Sequence, residues 1–479
     1  MNKNLAFAVV SSACWSGFQH GYNTGVLNAP QKIMSEWLQH DVLTGTNTSI
    51  SSSEDPKVTT VWAVAVSIYC FGGMLGGVLT GLIADRFGRK GGLLVNLIPV
   101  LVGVVLQAFA KSANSAELLI IGRFLIGINS GLNAGLVPLY VTEISPVALR
   151  GSTGTVYQLM ITITILLSQI LGLNTVLGTP DKWPVLISIP ILPAIIQIAT
   201  LPLCPETPKY LMMHRGEPEK AEAALTWLRG KEPGVIRPEL EKLHQEAESN
   251  KIQKKATVAE LFRNRSLRQP LTIGLMVMLA QQLSGINAVI FYSTEIFKNA
   301  KLDPSQAQYA TLIMGLMNVI VTVVSLFLVE RMGRRTLLII GFGGLFIWTT
   351  LLCVASVYTH HQWVSYICIV LVVVYVMTFA IGPGSIPWFL VTELFSQTYR
   401  SVASSLAVCV NWTANFFVGL TFLPITKITP QRDMDFIKTL ELENGLPDVC
   451  LQSYQSRSRV TKAQVQAGTL MREKYSSRP

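Results

Sequence analysis

Six neutral amide side chains stand inside apolar stretches of this sequence: Gln158, Gln281, Gln282, Asn287, Asn318 and Asn411. A carboxamide offers two N–H donors and a carbonyl acceptor, so it grips neighbouring hydroxyl groups without carrying charge. Trp388 and Trp412 lie close to them in the sequence and supply flat apolar faces. Neutral amides beside aromatic rings suit an uncharged ligand ringed with hydroxyls, such as a hexose. Charged groups would cost more to desolvate and are not needed. Any one of these amides is equally explained as a hydrogen bond between helices. Six of them, mostly in the second half of the chain and beside tryptophans, favour the ligand.

Other chemistries find no support in the sequence. It has no nucleophile–base pair, no phosphate-binding loop and no metal-ligand cluster, so neither an enzyme nor a cofactor is expected. Seven scattered cysteines form no CxxC pair and no disulfide framework. Net charge is +10, but the basic residues fall between apolar runs, a pattern of membrane topology and not of nucleic-acid binding.

The elements that must position the amides are membrane helices. Charged residues make up only 14% of 479 residues, and mean hydropathy is +0.43. Many apolar runs approach the roughly 20 residues that cross a bilayer as a helix, where every backbone polar group must be satisfied internally. Eleven spans are expected, near residues 5–27, 59–83, 91–110, 117–142, 152–175, 182–203, 269–292, 308–329, 335–357, 363–391 and 402–425. The first runs into polar Gln19–Asn28 and is read as a span, not as a cleaved leader.

Arg86, Arg89 and Lys90 follow span two, Arg150 span four, Arg331, Arg334 and Arg335 span eight, and Arg400 span ten. These basic loops share one side, which is therefore cytosolic. A polar segment of residues 205–268, with helix-like pieces such as Glu217–Arg229, lies on the same side. The sequon at Asn47 falls in the long loop on the other side and is the expected glycosylation site.

The two halves repeat each other. Asp85-Arg86-Phe87-Gly88-Arg89-Lys90 returns six spans later as Glu330-Arg331-Met332-Gly333-Arg334-Arg335. A Glu ends span four and span ten, at Glu143 and Glu393, and an Arg follows seven residues on in each, at Arg150 and Arg400. Two duplicated bundles with a substrate path between them are implied. The expected division is 1–204, an N-terminal bundle; 205–268, a cytosolic helical linker; 269–426, a C-terminal bundle of five spans; and 427–479, an atypical polar tail. A twelfth span, which the repeat would require, is expected to be missing.

These motifs resemble the sugar porter family of the major facilitator superfamily, and within it the animal facilitative glucose transporters. The resemblance covers roughly residues 5–426. It rests on Gly81–Lys90, Gly122-Arg123-Phe124, Pro205-Glu206-Thr207-Pro208, Gln281-Gln282-Leu283-Ser284-Gly285-Ile286-Asn287 and Gly382-Pro383-Gly384-Ser385-Ile386-Pro387-Trp388. It implies an all-α membrane protein with two six-helix-type bundles, here with the last helix apparently missing, and a cytosolic helical insert. It also implies facilitative transport of a hexose, D-glucose foremost, across the plasma membrane. The positions matching the family's sugar contacts are Gln158, Gln281, Gln282, Asn287, Asn318, Trp388 and Asn411. Ile161, Ile165, Phe291, Phe379 and Trp412 are expected to line the cavity. Phe291 stands where close relatives often have Tyr, and Ala380 where they have Glu. Met278-Leu279-Ala280 replaces the Gln-Leu-Ser of glucose-restricted relatives, so fructose is not excluded.

At about 100° per residue, Gln281 and Asn287 would point apart on an unbroken helix. A break at Ser284-Gly285 is expected, and a second at Gly382-Pro383-Gly384. Arg89, Glu143, Arg150, Glu206, Glu330, Arg334, Glu393 and Arg400 lie at cytosolic helix ends. They are expected to pair across the two bundles as a gate, besides setting topology. Proton-coupled members of the family carry Asp in the first span where this chain has Asn23, which cannot release a proton, so Arg123 lacks that partner. Passive transport is therefore expected over symport, and neighbouring His20 is read as structural. The rival reading is a truncated, non-transporting isoform or sugar sensor on the same scaffold.

Overall fold

A computed structural model describes residues 2–43, 56–146, 149–231, 233–252, 257–299, 303–357, 362–395 and 397–428. Asn47 and the polar tail beyond Ile428 lie outside these, as does the Glu330 side chain. The chain falls into two compact units, Met1–Ile425 and Thr426–Pro479. Every candidate membrane-spanning stretch among the described residues lies in the first unit.

The described residues are helical almost throughout, with no strand among them. The first span is α1 (Lys3–Val9), a widened π turn at Val10–Cys14 and α2 (Trp15–Gly25), followed by short α3 (Gln31–Trp37). Five long spans follow. They are α4 (Pro56–Phe87); α5 (Arg89–Val95) with α6 (Leu97–Ala110); α7 (Ala116–Ile144); α8 (Arg150–Leu171); and α9 (Trp183–Ser188) with α10 (Ile191–Thr200). The linker holds α11 (Pro208–Tyr210), α12 (Pro218–Arg229), α13 (Pro233–Ile252) and α14 (Val258–Arg263).

The second half comprises α15 (Arg265–Leu283) with α16 (Ile286–Asn299), α17 (Pro304–Met332), α18 (Arg334–Val357), α19 (Gln362–Ile381) with α20 (Ile386–Leu394), and α21 (Gln397–Ile428). Among the described residues, ten stretches are long and apolar enough to cross a membrane, and they coincide with ten of the eleven expected spans. The remaining one, at residues 5–27, is helical but polar in its second half and interrupted by the π turn.

Local sequence explains many helix ends. Ser115, Thr207, Thr257 and Asn264 accept from backbone N–H groups of the first turns of α7, α11, α14 and α15. Asp303 and Gln306 form a reciprocal capping box at α17, with Pro304 as its first residue.

Glycines let α4 and α7 touch backbone to backbone. A Cβ added at Gly127 or Gly131 would run into the carbonyls of Tyr69 or Gly73. α2 lies as close on α8, because Gly17, Gly21 and Gly25 face Tyr157, Ile161 and Ser168. The two halves meet where α8 packs along α17 and where α4 meets α21. Leu192, Ile195 and Ile198 of α10 and Ile339, Phe346 and Val354 of α18 point outward, exposed as a lipid-facing surface would be.

Candidate functional site

Span seven breaks where the sequence places the break. α15 ends at Leu283, Gly285 adopts φ +87, and α16 begins at Ile286. That backbone conformation is open to glycine at little cost. Span ten breaks over residues 382–385, closed by bonds from Gly384 N to Phe379 O at 2.8 Å and from Ile386 N to Gly382 O at 3.1 Å. The breaks are strapped together from both sides. Gln281 Nε2 donates to Pro383 O at 2.6 Å, and Tyr375 Oη of α19 donates to Ser284 O at 2.7 Å.

Between the breaks, four amides form a chain of donors. Asn287 Nδ2 donates to Gln282 Oε1; Gln282 Nε2 to Asn411 Oδ1 at 2.8 Å; Asn411 Nδ2 to Gln281 Oε1 at 2.7 Å; and Gln281 to Pro383 O. All four are buried. The NH2 groups of Gln282 and Asn287 keep a second N–H, so hydroxyls of a ligand can join or displace members of the chain. Met278, beside the glutamines, lends its carbonyl and sulfur to Asn411.

Around this chain stand the apolar residues expected to line it. Phe291 is buried, Phe379 and Trp388 are partly so, and Phe379 lies against the Gly384 backbone. Across the seam, Ile161 and Ile165 are buried on α8, and Gln158 is half-buried on the same helix. The α8 stripe that continues from Gln158 through Ile165 ends in Leu166 and Gln169, which touch Gly315 of α17. Asn318, nine per cent exposed, sits one turn from Gly315 on α17. Gln158 and Asn318 therefore face the seam between the halves but do not join the amide chain.

Trp412 sits on the seam as well. Its ring lies against Gly73 of α4, edge-on to Tyr69 at 5.7 Å and stacked on His20 at 5.6 Å.

The charged motifs pair differently from expectation. Arg89 forms two bonds to Glu143 Oε1, at 3.2 and 3.0 Å, and Arg334 binds both oxygens of Glu393 at 3.2 and 2.9 Å. These are equivalent pairs in the two repeats, and Gly88 and Gly333 precede both arginines with φ +82 and +79. Glu206 accepts from the N–H groups of Arg89, Lys90, Gly91 and Thr207, capping α5, and Thr207 Oγ1 bonds Glu143 at 2.6 Å. Every one of these contacts stays within one half. In this structure the glycine turn sets each arginine on the carboxylate of its own repeat, and none of these pairs joins the two bundles. Among the described residues, Arg150 donates to Ser145 O at 3.4 Å, and Arg400 is exposed with no ion-pair partner.

A group of hydrogen bonds across the halves sits at the opposite ends of the helices. Asn28, just after α2, donates to Ile290 O at 2.8 Å and Ser293 Oγ at 2.5 Å, and accepts from Thr294 N at 3.2 Å. Gln308 donates to Asn174 at 3.1 Å nearby. In the sequence Asn28 closes the polar stretch Gln19–Asn28, which gives no sign of a partner in the second half. Asn415, four residues after Asn411, also went unnoticed; it is buried with Oδ1 unpartnered, and its i+4 spacing was the available signal.

Arg123 is fully buried. It donates to the Asn23 backbone carbonyl at 2.9 Å and lies over the Tyr69 ring at 4.5 Å. The Asn23 amide turns away, to Gln19 O at 2.7 Å. No carboxylate pairs with Arg123 among the described residues, nor is there a metal-ligand group of three or more. A groove of about 310 Å³ under the linker, between Leu203, Leu211, Lys220 and Trp227, lacks convergent neutral donors and does not match hexose chemistry.

The Sugar (and other) transporter family matches residues 9–437. Solute carrier family 2, facilitated glucose transporter member 3, of Ovis aries is 46% identical over 419 residues, 87% of this chain and 83% of that one. Facilitated glucose transporter protein 1 of Caenorhabditis elegans is 43% identical over 438 residues, 90% and 84% of the two chains.

Among solved structures, the major facilitator superfamily proton:xylose symporter XylE bound to 6-bromo-6-deoxy-D-glucose superimposes with TM-score 0.75 at 25% identity, covering 90% of each chain. A partially occluded inward-open form of XylE from E. coli gives 0.72 at 24% identity, over 93% of this chain and 98% of that one. The fold is that of the major facilitator superfamily, and the relatives are membrane transporters, not enzymes. This chain belongs to the Sugar (and other) transporter family, on the branch of the animal facilitated glucose transporters.

Proposed function

We propose that this protein is a hexose uniporter of the plasma membrane. It moves D-glucose, and related sugars such as fructose, by alternating exposure of the amide site between the two halves. The observation that carries the reading is the donor chain Asn287–Gln282–Asn411–Gln281–Pro383, built from uncharged groups and slung between two helix breaks. A hydroxylated, uncharged ligand is what such a chain can exchange bonds with, and broken helices at a shared site suit rocking of one bundle on the other. The names of the relatives, facilitated glucose transporters, point the same way.

Passive transport is supported by the Arg123 pocket, where an amide and a backbone carbonyl stand in place of a proton-releasing carboxylate. The sugar contacts on this reading are Gln158, Gln281, Gln282, Asn287, Asn318, Trp388 and Asn411, with Asn415 added. The division into bundles 1–204 and 269–426 joined by the 205–268 linker, and use of Asn47 for glycosylation, belong to the same proposal. The test is net uptake of D-glucose down its gradient into proteoliposomes of the full chain, with an internal pH dye, beside counterflow of labelled D-glucose. Counterflow, and net uptake without acidification, are expected. Acidification in step with uptake would make it a symporter; binding without flux would make it a sensor.

A further inference from the structure

Three arginines bracket one serine where α14 meets α15, in the run Arg263-Asn264-Arg265-Ser266-Leu267-Arg268. All of these residues except Leu267 are exposed. None of the three guanidinium groups has an ion-pair partner among the described residues. The junction falls on the side that the basic loops mark as cytosolic. Its flank is anchored. Leu261 is buried against Phe395 and Ala403, and Tyr399 Oη donates to Glu260 at 3.0 Å. Ser266 itself is held locally. Its hydroxyl donates to Asn264 Oδ1 at 2.8 Å, and its backbone N–H goes to the same oxygen at 3.1 Å.

We propose that Ser266 is a phosphorylation site, modified by a serine kinase that reads arginine three residues before and two residues after its acceptor. Exposed guanidinium groups without a carboxylate partner are what an acidic kinase cleft binds, through charge-assisted hydrogen bonds. The acceptor must also be drawn out of its helix. Ser266 is the second residue of α15, in the turn whose N–H groups lie outside the helical ladder, so drawing it out breaks few backbone bonds. In the transfer the kinase's base takes the hydroxyl proton and Ser266 Oγ bonds the γ-phosphorus of ATP. The bond from that phosphorus to the β–γ bridging oxygen breaks, and ADP leaves. The phosphate brings a charge of about −1.5 to −2 into the arginine cluster. Its ester oxygen no longer donates, so Asn264 loses the hydroxyl bond where span seven, with Gln281 and Gln282, begins.

The inference depends on the junction being cytosolic and stands whether or not the chain moves a hexose. Full-length protein in detergent is incubated with ATP and a kinase of the protein kinase C class, which favours arginine at those two places. Phosphorylated residues are mapped by mass spectrometry. Phosphate on Ser266 of the folded protein is expected, and none at this junction in Ser266→Ala. Arg263→Gln and Arg268→Gln should each slow the reaction about tenfold, the worth of one charge-assisted hydrogen bond. With sealed membrane vesicles, inside-out ones should be labelled at Ser266 and right-side-out ones not.

Phosphate on Thr257, the exposed cap of α14, in place of Ser266 would overturn the proposal. So would labelling of Ser266 only after heat unfolding, rates unchanged in both arginine variants, or labelling of the right-side-out vesicles. Should Ser266→Ala fail to fold, the residue map of wild type and the two arginine rates still decide.

Discussion

Gln281 donates to the Pro383 carbonyl at 2.6 Å, so one side chain ties the break in span seven to the break in span ten. The same glutamine accepts from Asn411 at 2.7 Å, which makes it the last amide of the donor chain and its anchor to backbone. Replacing Gln281 by leucine keeps the volume but leaves the Pro383 carbonyl and an Asn411 N–H unpaired in a buried place. A loss of about 1–3 kcal/mol in stability is expected, with about tenfold weaker glucose binding. Thermal unfolding in detergent and a binding isotherm on the same preparation check the two effects together.

Gly285 tests the break itself. Its φ of +87 disfavours any residue with a Cβ, although the nearest atom to an added Cβ, Tyr375 Oη, is 4.0 Å away. The penalty of Gly285→Ala is therefore backbone strain and not collision, about 1–2 kcal/mol. Relief by straightening would rotate Asn287 away from Gln282. Slower counterflow with near-normal expression is expected; full activity would show that the break is dispensable.

Glu143 and Glu393 make equivalent pairs at unequal depth. The Arg89–Glu143 side chains are each 11% exposed, whereas those of Arg334 and Glu393 are 42% and 45% exposed. Removing one partner of a buried pair strands a charge and costs about 3–5 kcal/mol, while an exposed pair contributes about 0–1 kcal/mol. Glu143→Gln should lower the unfolding temperature clearly, and Glu393→Gln barely. Equal shifts would mean that depth is not what separates the repeats.

Asn28 holds the two halves together with three hydrogen bonds at the ends far from the basic loops. At about 1 kcal/mol each, their loss in Asn28→Ala shifts the balance toward the conformation open on that side. Membrane-impermeant sugar analogues applied outside should bind more tightly, by roughly tenfold or more. Unaltered outside binding would remove Asn28 from the gate.

Much of this protein was legible from residue order because lipid imposes a strict rule. Apolar runs of sufficient length must be helices, and an amide inside one demands a reason, so ten spans and the set Gln281, Gln282, Asn287 and Asn411 could be read off directly. The breaks were legible as well, since glycine and proline act on their own backbone whatever surrounds them. Pairing was not legible. Whether Arg89 reaches across to the other bundle or back to Glu143 depends on how a glycine turn aims it, and sequence motifs carry no such direction. Nor does the residue order show that close packing of α2 on α8 carries His20 to Trp412, or that Asn28 meets Ser293 from 265 positions away. Those neighbours are brought together by packed helices, and only the folded chain decides which of them touch.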